Sequence, residues 1–222
     1  MHSTYLKLII VFFAAVLASG CATVQPYDYA AYLQSKPRSI LVLPPVNESP
    51  DVNATYSVFS QLSYPLAESG YYIFPATLVD ETFRQNGLTS PTDIHAVAPA
   101  KLRQIFGADA ALYVNITKYG TTYTIISSAA VVSANARLVD LKTGTLLWQG
   151  SATASNDENQ NNSGSGLAGL LITAIVKQIV NNVTDASHTV AGITSQRLLQ
   201  ARAPNGTLFG PRSPNYGKDL RP

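Results

Sequence analysis

Near residue 110 of this 222-residue chain the apolar residues change their spacing. Before that point they recur at helical intervals between short apolar runs. From Ala110 they alternate: Ala110, Leu112, Val114 and Ile116 against Ala111, Tyr113, Asn115 and Thr117. A period of two cannot be satisfied by a helix, and a period of 3.6 cannot be satisfied by a strand. The chain must therefore combine both elements, with crossovers early and hairpins late.

The early part opens with Ser39-Ile40-Leu41-Val42-Leu43, a continuous apolar run of the kind buried on both faces of a sheet. Pro44-Pro45 stops it, and a loop is expected through Pro50. A helix is predicted over residues 56–69, with Val58, Phe59, Leu62 and Leu66 on one stripe, Pro65 as a kink or the start of a second turn, and Gly70 as its stop. A short strand is expected over 71–75. A second helix over 76–86 places Leu78, Val79, Thr82 and Phe83 inward and ends at Gly87. A third helical region, 92–106, holds Pro99 in a first turn and puts Leu102, Ile105 and Phe106 in the core.

In the later part, Tyr119-Gly120-Thr121 reads as a turn and 123–139 as a long strand. Asp140 to Gly144 is a turn signal, and Leu146 leads a return strand to about Ser155. Residues 156–166 form a polar loop. Residues 167–183 have the strongest amphipathic pattern in the chain, and a last helix is expected from Thr184 or Asp185 to about Ala201. Helices between early strands imply parallel pairing, and the meander adds antiparallel strands. The fold expected is a single α/β domain with a mixed sheet flanked by helices.

Chemistry is scarce. His95 and His188 have no carboxylates at ligand spacing and read as surface or capping residues. Asp80-Glu81 is assigned to the helix dipole, and Asp157-Glu158 to a solvated loop. Gly164-Ser165-Gly166-Leu167-Ala168-Gly169 matches a dinucleotide-binding spacing. It lacks the preceding strand and the acidic residue ending a second strand, so hinge and packing glycines are the reading. Charged residues make up 13% with a net charge of +2 and no basic run, which argues against a nucleic-acid partner. No cofactor, metal or enzymatic activity is expected.

The single cysteine, Cys21, closes the run Leu17-Ala18-Ser19-Gly20-Cys21 behind the apolar segment Leu8 to Leu17. That segment is too short to span a bilayer and ends in small residues. It resembles the signal peptide and lipobox of bacterial lipoproteins. The resemblance implies cleavage between Gly20 and Cys21 and a diacylglycerol on the thiol. Ala22, where aspartate would retain a lipoprotein at the inner membrane, implies the outer membrane. The expected organisation is a signal peptide at 1–20, a lipidated tether at 21–37, a periplasmic domain at 38–203 and an extended tail at 204–222.

Further residues extend the likeness. Ile40-Leu41-Val42-Leu43-Pro44-Pro45, Gly107-Ala108-Asp109 leading into the alternating strand, and Val139-Asp140-Leu141-Lys142-Thr143-Gly144-Thr145-Leu146-Leu147-Trp148 resemble a family of bacterial lipoproteins of uncharacterised function, typified by a neisserial surface-antigen candidate. More distantly the chain resembles the curli-secretion lipoproteins and the N-terminal domain of the Tol-system β-propeller protein. These likenesses imply a non-enzymatic lipoprotein, anchored at the outer membrane with its domain in the periplasm or at the cell surface. Its partners would be other envelope lipoproteins or transport components. The alternative is a subunit of an oligomeric secretion pore. The wide stripe Leu167, Leu170, Leu171, Ile175 and Ile179 is read as part core and part interface, and it motivates a homodimer.

Overall fold

A helix, α1 (Ala30–Ser35), precedes the first strand, β1 (Ser39–Val42), in the computed structural model, which describes residues 27–123, 128–158, 186–201 and 205–219. There follow β2 (Val46–Asn47), α2 (Ala54–Glu68), β3 (Tyr72–Ile73), α3 (Ala76–Gln85), α4 (Pro91–His95) and α5 (Pro99–Phe106). Then come β4 (Ala110–Tyr123), β5 (Ser128–Asp140), β6 (Leu146–Ser155) and α6 (Ala186–Leu199). The strands make one six-stranded sheet in the order β3-β1-β4-β5-β6, with β2 also on β4. Pairs among β1 to β4 are parallel, whereas β4-β5-β6 is an antiparallel meander. This is the mixed α/β sheet that the two periodicities require.

Helices α2 and α6 pack on one face of the sheet. Val58, Phe59, Leu62 and Leu66 of α2 are buried, and each contributes about 1.5–3 kcal/mol by leaving water. The strand residues facing them are Leu112, Val114, Ile116, Ala134, Ala136 and Leu138. On β1, Ile40, Leu41 and Val42 are all buried, as a strand covered on both faces must be.

Several expectations are corrected. The residues after Pro44-Pro45 are not all loop: Val46 and Asn47 pair with Asn115 and Ile116 of β4. The prolines have no N–H, so pairing lapses across them and resumes, with Leu43 N–H bonded to Leu112 O before and Glu48 N–H to Ile116 O after. No turn occurs at 119–121. The ladder instead shifts register between Ile116 and Lys118, and β4 continues to Tyr123. One extra residue reverses the phase, so Tyr119 is buried where simple alternation would expose it. The long strand expected from 123 accordingly begins at Ser128.

Helix α2 runs through Pro65 as one element. The third helical region is two helices, because the residue before Pro99 is held extended (Ala98, ψ 137°). Ile105 is 42% exposed and Leu78 57% exposed, so each faces solvent rather than the core; Val79, Phe83 and Leu102 are buried as expected. Asp80 lies beyond the first turn of α3 and pairs with Arg84 one turn on, at 3.3 Å. Glu158 binds Arg197 of α6 at 2.7 Å instead of standing alone in solvent.

Both presumed appendages belong to the domain. Tyr29 and Tyr32, placed in the tether by sequence, are core residues. Tyr32 hydroxyl meets Tyr71 hydroxyl at 2.8 Å, and Tyr71 donates to Leu208 O. Burial raises the pKa of Tyr32 and Tyr71, keeping both phenols protonated. The tail residues Thr207 and Leu208 are buried, and Trp148 donates its indole N–H to Asn205 O at 3.1 Å. Irregular chain docks here because its carbonyls find buried phenol and indole donors.

Asp140 ties α1 to the sheet. Its carboxylate accepts from Ser35 Oγ and from the backbone N–H groups of Lys142 and Thr143. Burial pushes this carboxyl up, but the three hydrogen bonds together outweigh it and hold its pKa low. A lowered folded pKa gives stability that is complete above the unfolded value of about 3.9 and lost as pH falls through the folded one. Asp140→Asn is expected to cost roughly 1 kcal/mol at neutral pH, with the deficit shrinking below pH ~4. Melting temperature against pH for the two proteins checks this; parallel curves would refute it.

Candidate functional site

The opposite face of β4-β5-β6 has no helix over it among the described residues. Register builds two rows across it. Tyr113, Arg137 and Gln149 stand side by side in one, and Asn115, Asn135 and Ser151 in the next. Together they line a shallow groove of about 430 Å³. In period-two strands these are the alternate residues to the buried Leu112, Val114, Ala136 and Leu138, so they share the other face, which turns apolar again at the next pair, Ala111 and Val139.

The end of α4 bounds the groove. His95 meets the edge of the Tyr113 ring at 5.2 Å, and its Nε2–H donates to Pro44 O at 3.0 Å. Burial lowers the His95 pKa; the Pro44 carbonyl opposes this, and nearby Arg137 adds to it, so the ring is neutral at pH 7. The Arg137 guanidinium sits over the other part of the site, 5.7 Å from the Tyr113 centroid. Burial raises the Tyr113 pKa and Arg137 lowers it. The Asn115 amide donates to Glu48 at 3.3 Å. The face thus offers amides, hydroxyls and one guanidinium on a rigid plane, with an aromatic wall at one side. It can exchange hydrogen bonds with a partner surface. It holds no nucleophile beside a base.

His188 is also half-buried and bonded, not a surface residue. Tyr119 hydroxyl donates to Ser57 Oγ at 2.7 Å, Ser57 Oγ meets His188 Nδ1 at 2.8 Å, and the Gln61 amide meets His188 Nε2 at 2.9 Å. A serine beside an imidazole is half of a nucleophile–base pair. Here, however, the serine oxygen is bonded on two sides and the ring is held by a neutral amide. The chain of bonds latches β4 to α2 and α6.

Among the described residues no three His, Cys, Asp or Glu side chains converge as a metal site, and no helix is long and apolar enough to cross a membrane. Cys21, Gly20, the 164–169 glycines and the stripe Leu167, Leu170, Leu171, Ile175 and Ile179 lie outside the described residues. The open face was not singled out from sequence. Its signal was present in the outward half of the alternation, but which polar residues adjoin depends on register.

The model of the family described as "Putative lipoprotein GNA1162-like" matches residues 27–212. The chain belongs to this lipoprotein family. It is 52% identical over 210 residues to the "Putative lipoprotein NMB1124/NMB1162" of Neisseria meningitidis serogroup B, covering 93% of this chain and 97% of that one. The crystal structure of lipoprotein GNA1162 from Neisseria meningitidis matches at 57% identity and a TM-score of 0.54, over 66% of this chain and all of that one. The PelC dodecamer of Paraburkholderia phytofirmans matches at 15% identity and a TM-score of 0.42, over 81% and 96% of the two chains. The family match starts at Tyr27. It therefore includes the tyrosines of α1 and most of the docked tail, in agreement with their place in the core of this lipoprotein.

Proposed function

We propose that this lipoprotein is a non-enzymatic accessory or assembly component of an envelope transport or secretion system, anchored to the outer membrane through lipid on Cys21 and acting by protein–protein binding. The observation that carries the binding role is the face of β4-β5-β6 that no helix among the described residues covers. A hydrogen-bonding plane with the exposed Arg137 at its centre, flanked by Asn135, Gln149 and Ser151 and backed by the buried Tyr113 ring, has polar groups and an arginine of the kind interfaces favour. A homodimer through the 167–183 stripe is part of this reading and rests on sequence periodicity alone. Light scattering that shows a monomer at high concentration would remove it.

The pore alternative has less support. A membrane strand needs ~9–11 residues. Beyond the partner of the last β6 residue, Val131 opposite Ser155, the described β4-β5 hairpin continues only from Ala130 to Ser128.

A photo-crosslinking residue at Asn135, in cells, tests the binding role. It is expected to capture a defined envelope protein that is lost when Arg137→Glu is added, while stability changes by no more than ~0.5 kcal/mol. Equal capture from Tyr64, which is 60% exposed on α2 and so belongs to the other face of the sheet, would overturn the assignment to this face.

A further inference from the structure

One end of the sheet differs in character from the other. Ser39 of β1 pairs with Tyr72, Ile40 with Ala110, and Ala110 with Asp140, so the starts of β1, β3 and β4 lie level with the end of β5 and the start of β6. Four large apolar side chains are exposed at this end: Leu33 at 47%, Tyr72 at 42%, Leu146 at 41% and Tyr216 at 47%. Leu33 and Tyr216 line one apolar pocket of about 230 Å³ together with Tyr32, Tyr71 and Phe209. Tyr72 follows Tyr71 directly, and Leu146 pairs with Val139 beside the Asp140 that binds α1.

Cations surround these residues. Lys36, Arg38, Lys142, Arg212 and Lys218 are exposed here, and none has a carboxylate within ion-pair distance among the described residues. Of the acids at the same end, Glu68 is exposed with no ion pair among the described residues and Asp28 takes the Ala30 N–H, while three are held more firmly. Asp109 takes Arg103 and the N–H groups of Arg38 and Ser39, Asp140 takes Ser35, and Asp219 takes the Phe209 N–H. At the opposite end the balance reverses. The loop after β2 and the segment after β6 carry Glu48, Asp51, Asp157 and Glu158 against Lys118 and the paired Arg197.

The chain enters at the basic end. Tyr27 stacks on Tyr29 at 5.1 Å, and Tyr29 contacts Tyr32 of the pocket at 6.3 Å. Cys21 is six residues before Tyr27, a reach of ~20 Å at full extension. Tyr27 bonds the backbone of Gln149, three residues from the start of β6 and six from its end, so the anchor lies nearer this end of the domain than the far one. Part-exposed tyrosine rings and cations without carboxylate partners, here with Arg212 over the Tyr72 ring at 5.3 Å, are groups that settle at a lipid headgroup layer, and anionic headgroups complement the charge.

We infer that the end of the domain bearing Leu33, Tyr72, Leu146 and Tyr216 within its ring of cations lies against an anionic bilayer surface. The inference rests on the Cys21 anchor proposed above. It orients the molecule with its acidic end pointing away from the membrane and with the β4-β5-β6 face standing roughly along the membrane normal, reachable from the side.

The test uses full-length lipidated protein, in which lipid blocks the Cys21 thiol. A second cysteine replaces Leu33, Tyr216 or, at the far end, Val52, and carries an environment-sensitive fluorophore. On vesicles of phosphatidylethanolamine and phosphatidylglycerol, labels at 33 and 216 are expected to be quenched several-fold more slowly by an aqueous quencher than the label at 52. The triple change Lys36→Glu, Arg38→Glu and Lys218→Glu is expected to abolish that protection without releasing the protein from the vesicles. Equal quenching at all three positions on protein that floats with vesicles would overturn the inference and leave the anchor intact. Equal protection on purely zwitterionic vesicles would overturn it too, as would protection that grows with protein concentration without vesicles and so marks a second copy. Failure to float would remove the anchor reading, and this one with it.

Discussion

Gly70→Ala lowers the melting temperature by roughly 6–12 °C and shifts the tryptophan emission to the red: this is the result expected from the close approach at the end of α2. Gly70 has φ 94°, where a β-carbon alone costs about 1–2 kcal/mol. An added β-carbon would also overlap the backbone of Ser213, which cannot rotate away as a side-chain tip could. The tail is held at this point by Gly210 N–H to Ser69 O at 2.7 Å and Arg212 N–H to Gly70 O at 3.1 Å. Gly210 faces Gly70 with no more room. Strain and overpacking together come to about 3 kcal/mol, and each kcal/mol is worth about 2–4 °C in a domain of this size. The only tryptophan, Trp148, is 1% exposed and bonded to Asn205 of the same tail, so its emission reports undocking directly. Gly87→Ala is the comparison. Its φ is 79°, but nothing lies within 4 Å of an added β-carbon, so only the backbone cost applies and the emission stays unchanged. Equal losses in the two variants would show that the tail is not held through Gly70.

The tail shows where sequence reading meets its limit. Strand β4 was legible through Ile116 because alternation is local: each residue's face follows from its neighbour's. One extra residue at the bulge reversed that phase, and the same letters then read as a turn. The prolines at 44 and 45 did mark a break, but not that the backbone resumes the same ladder, which depends on the partner strand. Thr207 and Leu208 carry no period at all. Their burial depends on Tyr71 and the end of α2, more than 130 residues earlier, so no window of sequence contains the information. Tyr29, Tyr32, Tyr71, Tyr113 and Tyr119 are likewise buried with rings packed and most hydroxyls bonded, to partners that no local pattern announces. The candidate face has the same limit. Asn115, Asn135 and Ser151 are unremarkable singly and become a row only through register.

Cys21→Ser has the largest expected effect on where the protein resides, and almost none on how it folds. Serine offers an oxygen where the lipobox reading requires a sulfur to form a thioether, so neither lipid transfer nor the cleavage that follows it should occur. Each buried acyl CH₂ contributes ~0.8 kcal/mol, one myristoyl-length chain binds only marginally and reversibly, and two or more give stable anchoring. Once the uncleaved residues 1–20 are removed at an engineered protease site, loss of the sulfur therefore removes nearly all of the membrane affinity at once. The described residues begin at Tyr27, six beyond the cysteine, and their core closes among themselves, so the melting temperature should stay within the range of a neutral surface change, ~0.5 kcal/mol. What remains is contact through Lys36, Arg38, Lys142, Arg212 and Lys218. That contact is electrostatic and should vanish as the Debye length falls from about 10 Å at 0.1 M salt to about 3 Å at 1 M. Labelled palmitate incorporation, intact mass and vesicle flotation in low and high salt separate the two contributions. Wild-type protein should float in both salts, and Cys21→Ser should float weakly in low salt alone. Lipid incorporation by the serine variant would sink the anchor assignment. Salt-resistant flotation without lipid would point to an apolar attachment through Leu33, Tyr72, Leu146 and Tyr216 in place of the charge-led one.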